Sequence, residues 1–314
     1  MHLTDLELAA ELTNRPGLIP TAMDAAGRCV VWVDWEGYHC YEGFFHNSLA
    51  MYERLRGSGP ATFRSPIESL VSPRVVTADI RRGCLEPAGF IFHAGRSGST
   101  VLAKSLARSR QHLVYGEAAP HNQIWQVLPE HAEAAVDLYR NLLTLMGRRR
   151  LPSYAAHIVK FTSFNVVQYH FIRKAFPRVP ALFLFRDPAS IVESCRRKPP
   201  GWLGKDLATG RVWDTVETAV EDYFRGALAI RDPGFHCLDY QHLSARALPA
   251  ILRLFHLDPP PSELRLMEAE FVWDAKSLAP RPFAAEPRAL SAPIPALLCD
   301  LYAQLREHAV LGTR

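Results

Sequence analysis

The residues Gly95-Arg96-Ser97-Gly98-Ser99-Thr100 have the types that an anion-binding turn needs. Two glycines let the backbone approach a ligand closely, three hydroxyl residues add short donors, and one arginine adds a full charge. The run is entered from Phe90-Ile91-Phe92, an apolar stretch with strand character. It is left through Val101, Leu102 and Leu106, at helical spacing. Strand, small-residue turn and helix together aim the N–H groups of a first helical turn at a ligand. The same composition also suits a plain strand-to-helix turn, so the loop alone does not fix a function. It is not the nucleotide pattern G-x-x-x-x-G-K-[ST], which needs a glycine at 93 and a lysine at 99, where this chain has His93 and Ser99.

A second anion site is readable further on. The apolar run Ala181–Phe185 ends in Arg186-Asp187-Pro188. Asp187 suits a helix N-cap and Pro188 a first helical residue. Ser194 falls close to two turns beyond Asp187, on the same helical face, so Arg186 and Ser194 converge on one anion. The alternative is a capped helix with a solvated arginine.

These residues require a scaffold that brings strand ends together. Strands are predicted at Phe90–His93, Leu113–Tyr115, His157–Phe161, Ala181–Phe185 and His236–Leu238. Helices are predicted at Ala132–Leu145, Phe164–Phe176, Ser190–Arg197 and Thr215–Ile230. Apolar strands alternating with helices predict an α/β fold, a P-loop-like parallel sheet flanked by helices, over 88–314. Ligands bind at the carboxyl ends of such strands. Residues 1–87 differ and read as a small N-terminal α+β cap region, with a strand at Cys29–Val33 and a helix at Ser48–Leu55. Its aromatic residues Trp35, Tyr38, Tyr41, Phe44 and Phe45 suit the core of such a cap, or alternatively the lining of an acceptor pocket.

The 314 residues are 48% hydrophobic and 22% charged, enough to fill a core, with a formal charge of +4. That balance suits an anionic ligand and is too weak to argue for nucleic acid. The six cysteines, Cys29, Cys40, Cys84, Cys195, Cys237 and Cys299, show no C-x-x-C pair, so neither disulfides nor metal are indicated. With no signal-like start and no long apolar run, a cytoplasmic protein without a membrane partner is the expectation.

The loop at 95–100 and the pair Arg186 and Ser194 resemble the sulfotransferases that use 3′-phosphoadenosine 5′-phosphosulfate (PAPS). In motif style they are nearest the bacterial and tyrosylprotein branches. Gly116-Glu117 resembles the segment bearing the catalytic glutamate of the tyrosylprotein branch. Val159-Lys160-Phe161-Thr162 resembles the family's lysine strand, and Leu238-Asp239-Tyr240-Gln241-His242-Leu243 the segment whose tyrosine lies near the adenine. The resemblance covers roughly 88 to 260; Lys276 and Arg281 are the candidates for an adenine loop near the C-terminus. It implies transfer of a sulfuryl group from PAPS, as co-substrate and without a metal, to a hydroxyl or amine of a small-molecule or peptide acceptor. Arg96, the loop from Gly95 to Thr100 and Lys160 would serve the 5′-phosphosulfate. Arg186 and Ser194 would hold the 3′-phosphate, Tyr240 would meet the adenine, and Glu117 would be the base, with His93 and His121 as rivals. The loop Pro199–Gly210, with Trp202, would cover the acceptor or lie free on the surface. The alternatives are a Mg²⁺-dependent P-loop phosphotransferase (kinase) and a PAP-binding protein without activity.

Overall fold

The computed structural model describes residues 1–57, 59–131, 133–206, 211–274, 281–282 and 293–309. The chain opens with a helix, Asp5–Asn14, closed at its start by Thr4 and Glu7, each side chain accepting from the other's backbone N–H. A small antiparallel sheet follows, made of β1 (Leu18–Asp24), β2 (Cys29–Asp34) and β3 (Thr62–Pro66) in that order. Only β2 was predicted. β1 contains Pro20 and is buried along most of its length, so it carries no alternating pattern. β3 is short, lies at the sheet edge and ends in Pro66. The helix predicted at Ser48–Leu55 spans Phe45–Arg56 and stops at Gly57, whose φ of 69° is the left-handed cap conformation.

The main sheet is α/β as anticipated. Its strands are β4 (Pro87–His93), β5 (His112–Gly116), β6 (Ala156–Lys160), β7 (Ala181–Phe185) and β8 (Phe235–Asp239), all parallel, in the order β5-β6-β4-β7-β8. Every residue of β5, β6 and β7 is buried, as strands covered on both faces require. Alternate residues serve opposite faces. Ile91, Leu182 and Leu184 pack with Leu102, Leu106, Leu248 and Ile251 on one side. Phe90, Phe92, Phe183 and Phe185 enter a larger cluster on the other. That larger cluster runs on through Leu18, Ile19, Trp32 and Trp35, so the N-terminal sheet and the main sheet share an apolar core.

The predicted helices are present with shifted ends: Ala135–Met146, Pro188–Arg197 and Val216–Ala229. Ala132, the start predicted for the first of these, lies outside the described residues. The helix predicted over Phe164–Phe176 differs more. It begins as a 3₁₀ segment, Ser163–Gln168, and becomes α-helical at Tyr169–Ala175. Asn165 accepts from the Thr162 N–H at 2.9 Å, a local bond that favours the tight turn over a regular helical start.

Candidate active site

The carboxyl edge of the main sheet carries one candidate residue or loop per strand. In spatial order these are Glu117 after β5, Lys160 ending β6, the turn 94–98 after β4, Arg186 after β7 and Tyr240 after β8. The register that pairs Gly116 with Lys160 sets Glu117 beside the lysine. The register that pairs Phe185 with Asp239 sets Arg186 level with Tyr240.

The turn after β4 needs its glycines. Gly95 and Gly98 have φ of 79° and 83°, and Gly98 is the N-cap of the helix Ser99–Leu106. A Cβ at Gly98 would also stand 2.5 Å from Leu243 and 3.0 Å from the Tyr240 ring, so the turn is packed directly on the β8 segment. Arg96 has a φ of 52°, a conformation that costs a non-glycine residue roughly 1–3 kcal/mol and is held by its surroundings. Its Nη2 donates to the Lys198 carbonyl at 2.6 Å. Ser97 is fully buried and donates to the Leu184 carbonyl at 3.0 Å, so its hydroxyl ties the turn to β7. Ser99 and Thr100 are buried at the start of the helix. His93 supports the turn from below, its Nδ1 accepting from the Gly95 N–H at 3.0 Å.

Glu117 and Lys160 pair where β5 and β6 end. Lys160 Nζ lies 2.5 Å from Glu117 Oε1; the lysine side chain is 0% exposed and the glutamate's 23%. An ammonium taken out of water costs several kcal/mol unless paired, and Glu117 is its pair. The Glu117 N–H donates to the Lys160 carbonyl at 2.7 Å, and its φ of 51° turns the carboxylate back onto the lysine. His93 Nε2 lies 3.5 Å from the same Oε1. Since Nδ1 accepts from Gly95, the neutral ring carries its proton on Nε2, facing Glu117. Burial alone would raise the Glu117 pKa. The Lys160 charge and the His93 ring overcome it and hold the carboxyl at about 2. Burial lowers the His93 pKa. His121 stays apart from this group, in the helix Ala119–Gln123 and against Phe161; burial, then the nearby His157, lower its pKa to about 3.

At the other end, the Arg186 guanidinium lies 4.4 Å from the centre of the Tyr240 ring, and its Nη1 donates to the Arg96 carbonyl at 3.1 Å. The ring contact and this bond hold the guanidinium beside the turn. Asp187 is the N-cap anticipated from sequence, accepting from the Ser190 N–H at 3.0 Å, with Pro188 opening the helix. Ser194 lies two turns along it, partly exposed. Trp202 packs against Trp213 and Tyr223, with ring centres 5.9 and 6.0 Å away, in an aromatic cluster. Residues 207–210 of its loop, and Lys276, lie outside the described residues; Arg281 is exposed.

Sequence reasoning missed one residue. The Phe44 ring lies 4.4 Å from Lys160 Nζ. Phe44 stood among the aromatic residues of the N-terminal region, with no signal of which strand end it would meet. Among the described residues, no group of three or more His, Cys, Asp or Glu is placed to hold a metal ion, and no helix is long and apolar enough to cross a membrane.

No protein-family model matches the chain, and no curated protein matches it. Among the solved structures similar to it are three sulfotransferases. A sulfotransferase domain from the curacin biosynthetic pathway is 15% identical with a TM-score of 0.44, over 71% of this chain and 98% of that one. Sulfotransferase STF1 of Mycobacterium tuberculosis is 14% identical with a TM-score of 0.41, over 85% and 93%. Sulfotransferase STF9 of Mycobacterium avium is 12% identical with a TM-score of 0.48, over 98% and 97%. At these values the likeness is remote, and activity has to be argued from the site itself.

Proposed function

We propose that this protein is a sulfotransferase that takes PAPS as donor and passes its sulfuryl group to a hydroxyl or amine of a small-molecule or peptide acceptor. The observation that carries this reading is the row Glu117, Lys160, turn 94–98, Arg186, Tyr240 along one sheet edge. Four strand spacings of ~4.8 Å make a row of about 19 Å, long enough for a nucleotide with two separate anionic ends. The residues fit such a donor. The turn has two glycines at positive φ, and the Arg186 guanidinium lies over the Tyr240 ring at the far end.

The donor supplies an activated sulfuryl group. Arg96, the N–H groups opening the helix Ser99–Leu106 and the Thr100 hydroxyl would hold its 5′ end, Arg186 and Ser194 its 3′-phosphate, and Tyr240 its adenine. Lys160 would meet the charge that builds on the leaving oxygen. Its present partner is Glu117, whose carboxyl is then too acidic to be an effective base. Turning Lys160 toward a bound anion leaves Glu117 buried with less positive charge beside it, which raises its pKa and fits it to take the acceptor's proton. His93, with its N–H toward Glu117, steadies the carboxylate meanwhile. Holding the reacting atoms in line is then the main task, as in other group transfers.

Calorimetry with PAP, and separately with ATP and Mg²⁺, tests this reading, followed by an acceptor panel with PAPS. Binding of PAP and transfer from PAPS are expected. Binding of ATP with Mg²⁺ and none of PAP would assign the protein to phosphoryl transfer instead.

A further inference from the structure

We infer that the N-terminal region contributes a working residue to this site: Phe44 holds the Lys160 ammonium in place. The inference rests on the reading of Lys160 as the cation serving the leaving group. Lys160 is closed in from two directions, by the Glu117 carboxylate 2.5 Å away and by the Phe44 ring 4.4 Å away. An ammonium removed from water is drawn to the negative face of an aromatic ring. Glu117 gives the lysine its counter-charge, and Phe44 keeps water off it and limits where it can swing.

The placement of Phe44 is built, not incidental. Its two neighbours are seated on the end of β5, next to Glu117. The Phe45 ring packs edge-on against Tyr115, with centres 5.1 Å apart and planes at 82°. The Gly43 carbonyl occupies the space beside Gly116, where a Cβ would come within 2.1 Å of its oxygen. Gly43 is equally confined, since a Cβ of its own would lie 2.5 Å from Thr100 Cγ2 and 3.1 Å from Lys104 Cγ, on the helix that follows the anion turn. Two glycines thus allow the N-terminal segment to come down onto the strand end and the helix together, which puts Phe44 over Lys160. Upstream, Arg150 is buried among the rings of Trp35, Tyr115 and Tyr154 and donates to the Tyr38 carbonyl at 2.8 Å, so the segment is fastened before Phe44 as well as after it.

Two measurements test this. The first is transfer from PAPS by Phe44→Leu, Phe44→Tyr and Phe44→Trp, with PAP affinity measured in parallel. Leucine keeps the bulk and loses the ring, so turnover should fall about 3- to 30-fold while PAP affinity changes little; tyrosine and tryptophan keep the ring and should restore turnover. The second needs no activity. Melting temperatures of Phe44→Leu, Lys160→Met and the double variant should be non-additive, the leucine costing less once the ammonium is gone. Additive melting, or a Phe44→Leu enzyme with unaltered turnover, overturns the inference. Failure of the unaltered protein to bind PAP would overturn the sulfotransferase reading instead, and is seen before any substitution is made.

Discussion

Lys160 and Glu117 meet across the ends of β6 and β5, Nζ to Oε1, at 2.5 Å, with the lysine wholly buried. One contact therefore holds both the cation and the base of the proposed reaction. Glu117→Gln keeps the size of the side chain and cannot take a proton. Turnover should fall ~10²–10⁴-fold with PAP affinity within a few fold. The same change strands a buried charge and should cost ~3 kcal/mol of stability in urea unfolding. The double variant Glu117→Gln with Lys160→Met should lose less than the two singles combined. Simple additivity would show that the two groups do not act on one another.

The pair also predicts a pH response. A glutamate ordinarily titrates at 4.5, and Glu117 is held at about 2 in the folded protein. Its folded value is the lower one, so the stability it contributes is complete above the unfolded value and is lost as the pH falls from there toward 2. Melting temperature should decline between about pH 5 and about pH 2.5 more steeply in the unaltered protein than in Glu117→Gln. Matching curves would mean that Glu117 is not held below its ordinary value.

In the proposed reading Arg186 meets the 3′-phosphate; it lies beside the turn and over the Tyr240 ring. Its loss should weaken PAP by ~2–4 kcal/mol, roughly 30- to 1000-fold. Adenosine 5′-phosphosulfate, which has no 3′-phosphate, should bind nearly as before. Equal weakening of both ligands would remove Arg186 from that role.

Much of this site is legible in the sequence because its parts are local. The apolar run into Gly95, and Ala181–Phe185 into Asp187-Pro188, each state a strand, its stop and the helix after it within a dozen residues. What the sequence does not state are contacts made by register. The Lys160–Glu117 pair exists because Gly116 lies opposite Lys160 in neighbouring strands, and neither segment alone contains that fact. Ser97 shows the same limit. Its bond to the Leu184 carbonyl is made to the adjoining strand, and nothing within the loop names that partner. The N-terminal sheet was least readable. β1 is buried on most residues and includes Pro20, so period and propensity both point away from a strand that tertiary packing nonetheless supports.

Gly116→Ala tests the close seating of that region. The new methyl would stand 2.1 Å from the Gly43 carbonyl oxygen, and a stability loss of ~1–3 kcal/mol is expected. Gly201→Ala, where nothing lies within 4 Å, serves as the control. If both variants melt alike, the approach of Gly43 to β5 is not a constraint.

Transfer from PAPS should persist in EDTA. A sulfuryl group carries less charge than a phosphoryl group, and in the proposed reading Arg96, Lys160 and Arg186, at separate parts of the sheet edge, meet the donor's remaining charge, work that Mg²⁺ does for a triphosphate. Strict dependence of transfer on Mg²⁺ would sink this assignment of charges.

The buried Arg150 bears on the order in which the chain can be assembled. Its bond to the Tyr38 carbonyl joins residues 112 positions apart. During synthesis, Trp35, Tyr38 and Phe45 emerge from the ribosome well before Tyr115 and Arg150 exist to receive them. For that interval these aromatic side chains have only one another and Tyr52 to settle on. Long-range closure of this kind slows folding and leaves an adhesive stretch exposed. The nascent chain should therefore depend on chaperone holding until about residue 150 has emerged, and slowed elongation just before that point should lower the yield of folded protein.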